Sequence, residues 1–262
     1  ARHVLLFDAL GYEPPVYLHH SLLLGPDGAK MSKRHGATTV REYRESGYLP
    51  QALTNYLALL SWSPPEGREV LGLEELVRLF DIGDLSASPA VFDRARLDWL
   101  NGKHLRALER GRLLDLAGEF APAWSSHPRF PLMVESVLDN LTTLCELPAH
   151  LEAYGPPADP DERAAEWLHG EAARHVLEKA LALVRSMPVE SLEDARELLG
   201  AVKQTFKERD LTVKEILMPL RVALTGRDHG PALPYLLLVL GPEECASRLR
   251  AALAGPAGEA PA

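Results

Sequence analysis

Apolar residues recur at helical spacing along most of the chain. In residues 49–60 they repeat at i, i+3, i+4 and i+7, which puts one face of a helix in the core: Leu53, Tyr56, Leu57 and Leu60. Similar patterns predict further helices over residues 4–11, 39–46, 73–80, 93–99, 105–117, 132–147, 162–185, 191–208, 212–223, 234–240 and 243–253. Four aromatic residues among leucines are predicted to belong to the core: Tyr56, Trp62, Phe92 and Trp99. The pattern therefore predicts a mainly α fold.

One apolar run departs from this helical pattern near the start of the chain. Residues 17–24 are largely apolar and are followed by Pro26-Asp27-Gly28, which is a turn sequence. A short apolar run that ends in a turn predicts a buried strand. After Leu24 no further strand is evident in the sequence.

The segment after this turn concentrates positive charge. Lys30, Lys33 and Arg34 lie between Gly28 and Gly36, so we predict them on a short loop at the end of a strand. Polyphosphate chemistry needs such cations, because negative charge spreads over the phosphoryl oxygens in the transition state. The alternative is a solvated basic turn, which is the better expectation for a generic Lys-x-x-Lys-Arg sequence.

Composition limits the partners and the compartment. The net charge of −9 argues against indiscriminate nucleic-acid binding. However, residues 30–44 carry five basic residues against one acidic residue, and residues 202–227 carry six against three, so these two segments suit a phosphate backbone. No apolar run approaches the ~20 residues of a membrane span. Cys145 and Cys245 show no metal-binding spacing, and we expect a cytoplasmic protein with no membrane partner.

Four sequence signatures carry a family resemblance. Lys30-Met-Ser-Lys-Arg34, with Gly-Pro-Asp-Gly before it and His-Gly-Ala-Thr-Thr-Val after it, resembles the second signature loop of class I aminoacyl-tRNA synthetases, in its glutamyl-tRNA synthetase version. The resemblance continues in register through Gly47–Trp62, Phe92–Arg106 and Pro219–Gly226.

The first signature of that family, His-x-Gly-His or a close relative, is not found in the sequence. His19-His20 is followed by serine and leucine, with no glycine. The predicted helix over residues 4–11 resembles the last helix of the family's catalytic domain. We therefore expect the 262 residues to be the C-terminal part of a longer synthetase, and to form no glutamyl-adenylate alone.

The resemblance implies a chain of three parts. A short α/β remnant of a Rossmann-type catalytic domain would cover residues 1–37. A helical domain that contacts the tRNA stem would cover residues 38–106, and an all-α anticodon-binding domain would cover residues 107–254. Residues 255–262 would form a flexible tail.

The resemblance also assigns roles within the basic loop. Lys33 would stabilise the pyrophosphate leaving group of ATP, and Lys30 would assist it. The backbone of Met31 would lie near the adenine, while Ser32 would help to hold the loop. Arg34 is an ordinary residue at its position in the glutamyl type. ATP, with Mg²⁺, is thus the implied cofactor.

Several basic residues are implied to contact the tRNA stem. The candidates are Arg41, Arg44, Lys103, His104 and Arg106. Each of them, taken alone, fits an ordinary surface charge better than a phosphate contact. The resemblance is what favours the phosphate contact.

Three residues are implied to meet the anticodon. Arg221 would stack on a base or bond its edge, and Leu233 would offer an apolar face to a splayed base. The alternatives are a salt-bridged Arg221 and a core Leu233. Asn140, on the predicted helix 132–147, would stand where strict family members carry an arginine, and an amide cannot give a charged bidentate fork.

The resemblance therefore implies ATP-dependent ligation of glutamate to its tRNA. The expected partners are glutamate, ATP and glutamate tRNA, with glutamine tRNA as a second candidate, and we expect a monomer. The rival interpretation is a non-enzymatic tRNA-binding or scaffold protein derived from a synthetase. The segment from Lys30 to Arg34 argues against it, because a pure RNA binder has no use for an ATP loop.

Overall fold

A computed structural model of the protein describes residues 2–18, 22–32, 34, 36, 39–207 and 211–254. Within these residues the helices α1 to α14 cover Arg2–Ala9, Val40–Glu45, Pro50–Leu59, Leu73–Leu79, Arg94–Arg106, Arg110–Phe120, Pro122–Ser125, Phe130–Val137, Leu147–Leu151, Glu162–Glu166, Glu171–Ser186, Leu192–Thr205, Val213–Thr225 and Leu233–Ala254. The predicted mainly α fold is confirmed. The predicted flexible tail, residues 255–262, lies outside the described residues.

Two short strands accompany the helices. β1 (Leu23–Leu24) and β2 (Ala90–Val91) form a parallel pair, with Leu23 opposite Ala90 and Leu24 opposite Val91. The Phe92 amide extends this ladder by donating to the Leu24 carbonyl at 2.8 Å. β2 was not evident from the sequence because two residues are too few to show an alternating pattern.

The predicted buried strand over residues 17–24 is wrong for most of its described part. Tyr17 and Leu18 are 43% and 60% exposed, and Leu22 is 59% exposed. Residues 19–21 lie outside the described part of the chain. Only the last two residues of the run pair with β2, and an unpaired backbone has no ladder to hold it extended.

The chain divides into two compact units. Unit 1 comprises Ala1–Arg44 and Pro50–Leu100, and unit 2 comprises Glu45–Leu49 and Asn101–Ala262. The domain boundaries that the resemblance implies, at residues 37 and 106, stay predictions. None of the described helices combines the length and the apolar character that crossing a membrane requires.

An aromatic and leucine core holds unit 1 together. The Tyr56 and Phe92 rings meet edge-on with centroids 5.3 Å apart, and Trp62 packs in a buried cluster with Leu71 and Leu76. The predicted core positions of Tyr56, Trp62 and Phe92 are confirmed. Trp99 is 42% exposed, so its predicted core position is wrong. The buried face of α5 runs through residues 97, 100, 101 and 104, and position 99 points away from it.

Helices α11 to α14 form the core of unit 2. α11 contacts α12, α13 and α14, and α12 also packs on α14. The predicted capping box at the start of α12 is confirmed: the Ser191 amide donates to the Asp194 carboxylate at 2.8 Å, and the Asp194 amide donates to the Ser191 hydroxyl at 3.1 Å. The left-handed Gly226 ends α13, as predicted near residue 226.

The predicted continuous helix over residues 132–147 is wrong. α8 ends at Val137, and a 3₁₀ turn follows over Leu138–Asn140. A second 3₁₀ turn, Leu144–Glu146, precedes α9. Pro148 stands in the first turn of α9, whereas the sequence predicts it just after the end of a helix. Side chains from α5 bond the carbonyls that a continuous helix would use. For its part, α5 continues to Arg106 instead of ending at Asn101-Gly102.

Glycine divides one further predicted helix and separates two others. Gly170, with a φ of +93°, separates α10 from α11, so the helix predicted over residues 162–185 is divided. Gly241, with a φ of +77°, is a non-helical position inside α14. The predicted break between residues 240 and 243 is therefore confirmed, as a kink within α14.

Candidate functional site

The basic segment of unit 1 forms a tight hairpin on β1. The Gly25 amide donates to the Ala29 carbonyl at 2.8 Å, and the Met31 amide donates to the Leu23 carbonyl at 3.0 Å. Gly28 turns the chain with a φ of +73°, a backbone conformation that glycine adopts without strain. Because β1 also pairs with β2, the hairpin is attached to the small parallel sheet.

This hairpin presents its charges to solvent. Lys30, Ser32 and Arg34 are exposed. The Arg34 guanidinium donates to the Asp27 carboxylate at 2.8 Å, with 64% and 46% of the two side chains exposed. Such an exposed ion pair contributes about 0–1 kcal/mol, so a phosphate can replace Asp27 at small cost. Lys33 lies outside the described residues.

The candidates for stem contacts differ in exposure. In unit 1, Arg41 and Arg44 are exposed on α2, on either side of the buried Tyr43. In unit 2, Lys103 is exposed near the end of α5. His104 is only 9% exposed, and burial lowers its pKa, which favours the neutral imidazole. His104 therefore lacks the exposure that a phosphate contact requires, and its lowered pKa disfavours the charged form.

Arg106 is engaged within unit 2. Its Nη1 lies 3.3 Å from the carbonyl oxygens of Leu138 and Asp139 and 3.5 Å from that of Leu141. A guanidinium has five N–H donors in a fixed fork, and one of its nitrogens is directed at these carbonyls. The structure thus gives Arg106 an intramolecular role that the sequence did not indicate.

Unit 2 contains a cleft of about 630 Å³. It lies between α12, α13 and the start of α14, and its lining combines basic and apolar side chains: Arg196, Leu199, Lys203, Val213, Lys214, Leu217, Met218, Arg221, Ala232, Leu233 and Pro234. On α12 and on α13 the lining residues recur three or four positions apart, so each of these two helices presents one face to the cleft.

The structure brings two of the predicted anticodon residues together in this cleft. Arg221 donates from Nη1 to the Pro231 carbonyl at 2.6 Å, and burial lowers the pKa of its guanidinium. Arginine nevertheless stays charged, because its ordinary pKa lies far above neutral pH. Leu233 is 5% exposed, so most of its side chain belongs to the core. The exposed apolar lining comes instead from Val213 of α13, with Leu217 and Met218 half-buried.

The cleft also contains residues that the sequence analysis missed. Arg196, Lys203 and Lys214 line it together with Arg221. The positive segment 202–227 was a partial signal, since it contains three of these four cations. Arg196 has no such signal, because only the packing of α12 brings it to the cleft.

Asn140 is not among the residues that line the cleft. It is exposed in the 3₁₀ turn Leu138–Asn140, next to the exposed Asp139. Its predicted position on a long helix is wrong, but a turn also presents a side chain to solvent. The exposed amide offers one acceptor and two donor hydrogens.

Comparison with protein families gives two matches. Residues 1–99 match the family model described as tRNA synthetases class I (E and Q), catalytic domain. Residues 112–253 match the model described as anticodon binding domain, which is more than half of the chain.

Individual relatives agree with these families. The chain is 48% identical over 252 residues to glutamate–tRNA ligase 1 of Rubrobacter xylanophilus, covering 96% of this chain and 58% of the relative. It is 39% identical over 258 residues to a glutamate–tRNA ligase of Carboxydothermus hydrogenoformans, covering 95% and 53%. The crystal structure of a glutamate tRNA ligase from Elizabethkingia meningosepticum is similar with a TM-score of 0.82 and 25% identity, covering 97% and 54%. The chain thus spans about half the length of the curated relatives it matches.

Proposed function

The chain belongs to the glutamate–tRNA ligase family of class I aminoacyl-tRNA synthetases, and from this premise we propose that it supplies the ATP loop and tRNA-binding surfaces of such a ligase. In the proposed reaction, glutamate is first activated by ATP as an adenylate and is then transferred to the terminal ribose of its tRNA. A non-enzymatic tRNA-binding protein is less well supported, because the relatives are named as ligases.

The cleft of unit 2 is the observation that best supports tRNA binding. Arg196, Lys203, Lys214 and Arg221 surround apolar side chains from α13. An unstacked base needs an apolar or planar surface, and a guanidinium can stack on the base and bond its edge. The lysines can neutralise the adjacent phosphates. We assign Arg221 the base contact and Leu233 the support beneath it.

A binding titration tests this proposal. Glutamate tRNA and a tRNA of similar length for a chemically distant amino acid are titrated against the 262-residue chain over a series of salt concentrations. We expect tighter binding of glutamate tRNA, with log K falling linearly with log salt because counterions are released. Equal affinity for the two RNAs, or no binding of either, would contradict the proposal.

The hairpin of unit 1 supports a role in handling ATP. We propose that Lys33 stabilises the departing pyrophosphate with help from Lys30, and that the Met31 backbone lies near the adenine. Ser32 would hold the loop, and Arg34 would exchange Asp27 for a phosphate. The exposed Lys30 and Arg34, held on a hairpin fixed to β1, suit this role.

Mg²⁺ enters the proposal with the triphosphate of ATP, whose charge it would neutralise. Among the described residues, no group of three or more His, Cys, Asp or Glu side chains is arranged to hold a metal ion. We therefore assign no protein ligand to Mg²⁺.

Three further proposals concern partners and setting. Asn140 would meet the third anticodon base, and its amide can bond either cytosine or guanine, so glutamine tRNA is proposed as a second partner. We also propose that the protein acts as a monomer. ATP and tRNA meet in the cytoplasm, which supports that location.

A further inference from the structure

The turn over residues 138–142 is held by the C-terminal end of α5. Arg106 directs Nη1 at three carbonyls of the turn, and Asn101 donates from Nδ2 to the Thr142 carbonyl at 2.6 Å. Two side chains of one helix therefore bond four carbonyls of the turn. Arg106 also lies where α8 ends, and a cation there interacts favourably with the last carbonyls of a helix.

Hydrogen bonds hold both ends of the side-chain amide of Asn101. It is fully buried, and its Oδ1 accepts from the Leu49 amide at 2.8 Å while its amide group bonds Thr142. A buried amide with both ends satisfied has little freedom to rotate. The end of the turn is thereby attached to a rigid point of unit 2.

Gly102 leaves the space that this arrangement needs. A Cβ at this position would lie 2.8 Å from Nη2 of Arg106 and 3.2 Å from the Leu141 carbonyl. Both distances are shorter than ordinary van der Waals contact. A larger residue at position 102 would push the guanidinium away from the turn.

The opposite side of the turn faces solvent through Asp139 and Asn140. Because Arg106 and Asn101 of α5 bond the backbone carbonyls of the turn, α5 rather than the local sequence sets the direction of these two side chains. The arrangement determines how Asn140 is presented without requiring that α5 touch a ligand.

We propose that Arg106 and Asn101 are positioning residues for anticodon recognition, which hold the turn so that Asn140 is presented to the third anticodon base. This inference rests on the proposed function. It gives Arg106 a role different from the stem-phosphate contact that the resemblance implies.

The test compares two RNAs: glutamate tRNA and the same tRNA with an abasic third anticodon nucleotide. A hydrogen bond from a neutral amide is worth about 1 kcal/mol, so the unsubstituted chain should prefer the intact RNA about fivefold. Arg106→Met should bring the preference close to one while leaving the affinity for the abasic RNA unchanged. Arg106→Lys, which keeps a cation, should restore part of the preference. Arg112→Met removes the same charge from an exposed position of unit 2 and should keep the full preference.

A double-substitution cycle separates positioning from an independent contact. In the Asn140→Ala background, Arg106→Met should cause no further change in preference, because both substitutions remove the same contact. If Arg106→Met does not fold, as judged by circular dichroism, Gly102→Ala provides a second variant that displaces the guanidinium, and the same loss of preference is expected.

Three results would overturn the inference. An equal loss of affinity for both RNAs in Arg106→Met would mean that Arg106 contacts a phosphate directly. An unchanged preference in Arg106→Met, or no preference in the unsubstituted chain, would mean that this turn does not present a base contact. In those cases the unsubstituted chain still binds glutamate tRNA. Failure of the unsubstituted chain to bind either RNA would instead overturn the proposed function, and this inference with it.

Discussion

The hairpin of unit 1 and the cleft of unit 2 hold their arginines by different means. In the hairpin, Arg34 pairs with Asp27, seven residues earlier, and 64% of its side chain is exposed. In the cleft, Arg221 is partly buried and donates to the carbonyl of Pro231. The end of α13 is in turn fixed by the Ala158 amide, which donates to the Thr225 carbonyl at 3.1 Å.

This difference separates two ways of binding phosphate-bearing ligands. An exposed ion pair is weak and is screened by salt, so the hairpin can exchange its internal partner for a ligand. A partly buried guanidinium bonded to a carbonyl is oriented before the ligand arrives, which lowers the cost of binding. Substitutions in the hairpin should therefore change rate more than stability, whereas substitutions around the cleft should change stability and affinity.

The largest effect is expected for Lys33→Ala in the activation step. The measurement uses a chimera in which this chain replaces the matching residues of the 48% identical relative, and follows glutamate-dependent ATP–pyrophosphate exchange. Loss of one charge that stabilises the leaving group typically lowers the rate by ~10²–10³, with little change in glutamate binding.

Arg34→Ala is the matched control in the same hairpin. Its guanidinium already has Asp27 as a partner, so we expect a smaller loss than for Lys33→Ala. A decrease of less than about threefold for Lys33→Ala would contradict the assignment of this hairpin to the leaving group.

Two glycine substitutions compare the stability of the regions directly. Gly28 and Gly226 both have a positive φ, +73° and +71°, so alanine costs roughly 1–2 kcal/mol at either position. A Cβ at Gly28 meets nothing within 4 Å, whereas one at Gly226 would collide with the Ala158 carbonyl. Gly226→Ala should therefore lower the free energy of unfolding by clearly more than Gly28→Ala, as measured by urea denaturation. Equal losses would mean that the end of α13 is as adaptable as the hairpin.

The hairpin and the cleft also differ in how far the sequence predicted them. The turn around Asp27 and its flanking residues are close in sequence, and local hydrogen bonds within residues 23–31 fix them, so pattern and turn chemistry suffice. The cleft depends on the packing of α12 against α13, and Arg196 has no meaning as a site residue before that packing is known.

Hydrogen bonds between residues far apart in sequence also explain the main error in the predicted secondary structure. The apolar periodicity of residues 132–147 fits a helix, but the side chains of Asn101 and Arg106 bond the carbonyls of residues 138, 139, 141 and 142. Partners more than thirty residues away in sequence therefore override the local pattern, and no window of the sequence contains that information.

An intermediate effect is expected for Arg221→Ala on tRNA binding. A base-specific contact made by an arginine contributes about 1–3 kcal/mol, so the affinity for glutamate tRNA should fall about fivefold or more. The helical content should be unchanged in the circular dichroism spectrum, because the side chain lines a surface cleft. Arg185→Ala removes the same charge from an exposed position on α11 that does not line the cleft. A loss as large for Arg185→Ala would show that net charge, rather than the cleft, governs binding.

The smallest change in affinity is expected when the third anticodon base of the tRNA is changed, because the proposed contact for this base is Asn140 and not the cleft. Asn140 is an exposed amide on a turn, and an amide can accept from the amino group of cytosine or donate to guanine. Glutamate tRNA variants with cytosine or guanine at that position should therefore bind with similar affinity. A charged bidentate contact would supply a discrimination of about 1–3 kcal/mol, taking base-specific pairs in duplex DNA as a guide. Titration of both variants at one salt concentration measures the ratio of their affinities directly.

Asn140→Arg should raise the preference for cytosine if the turn contacts this base, because it restores the guanidinium at the same place. A hundredfold preference for cytosine in the unsubstituted chain would show that Asn140, or a neighbouring side chain, still enforces the discrimination.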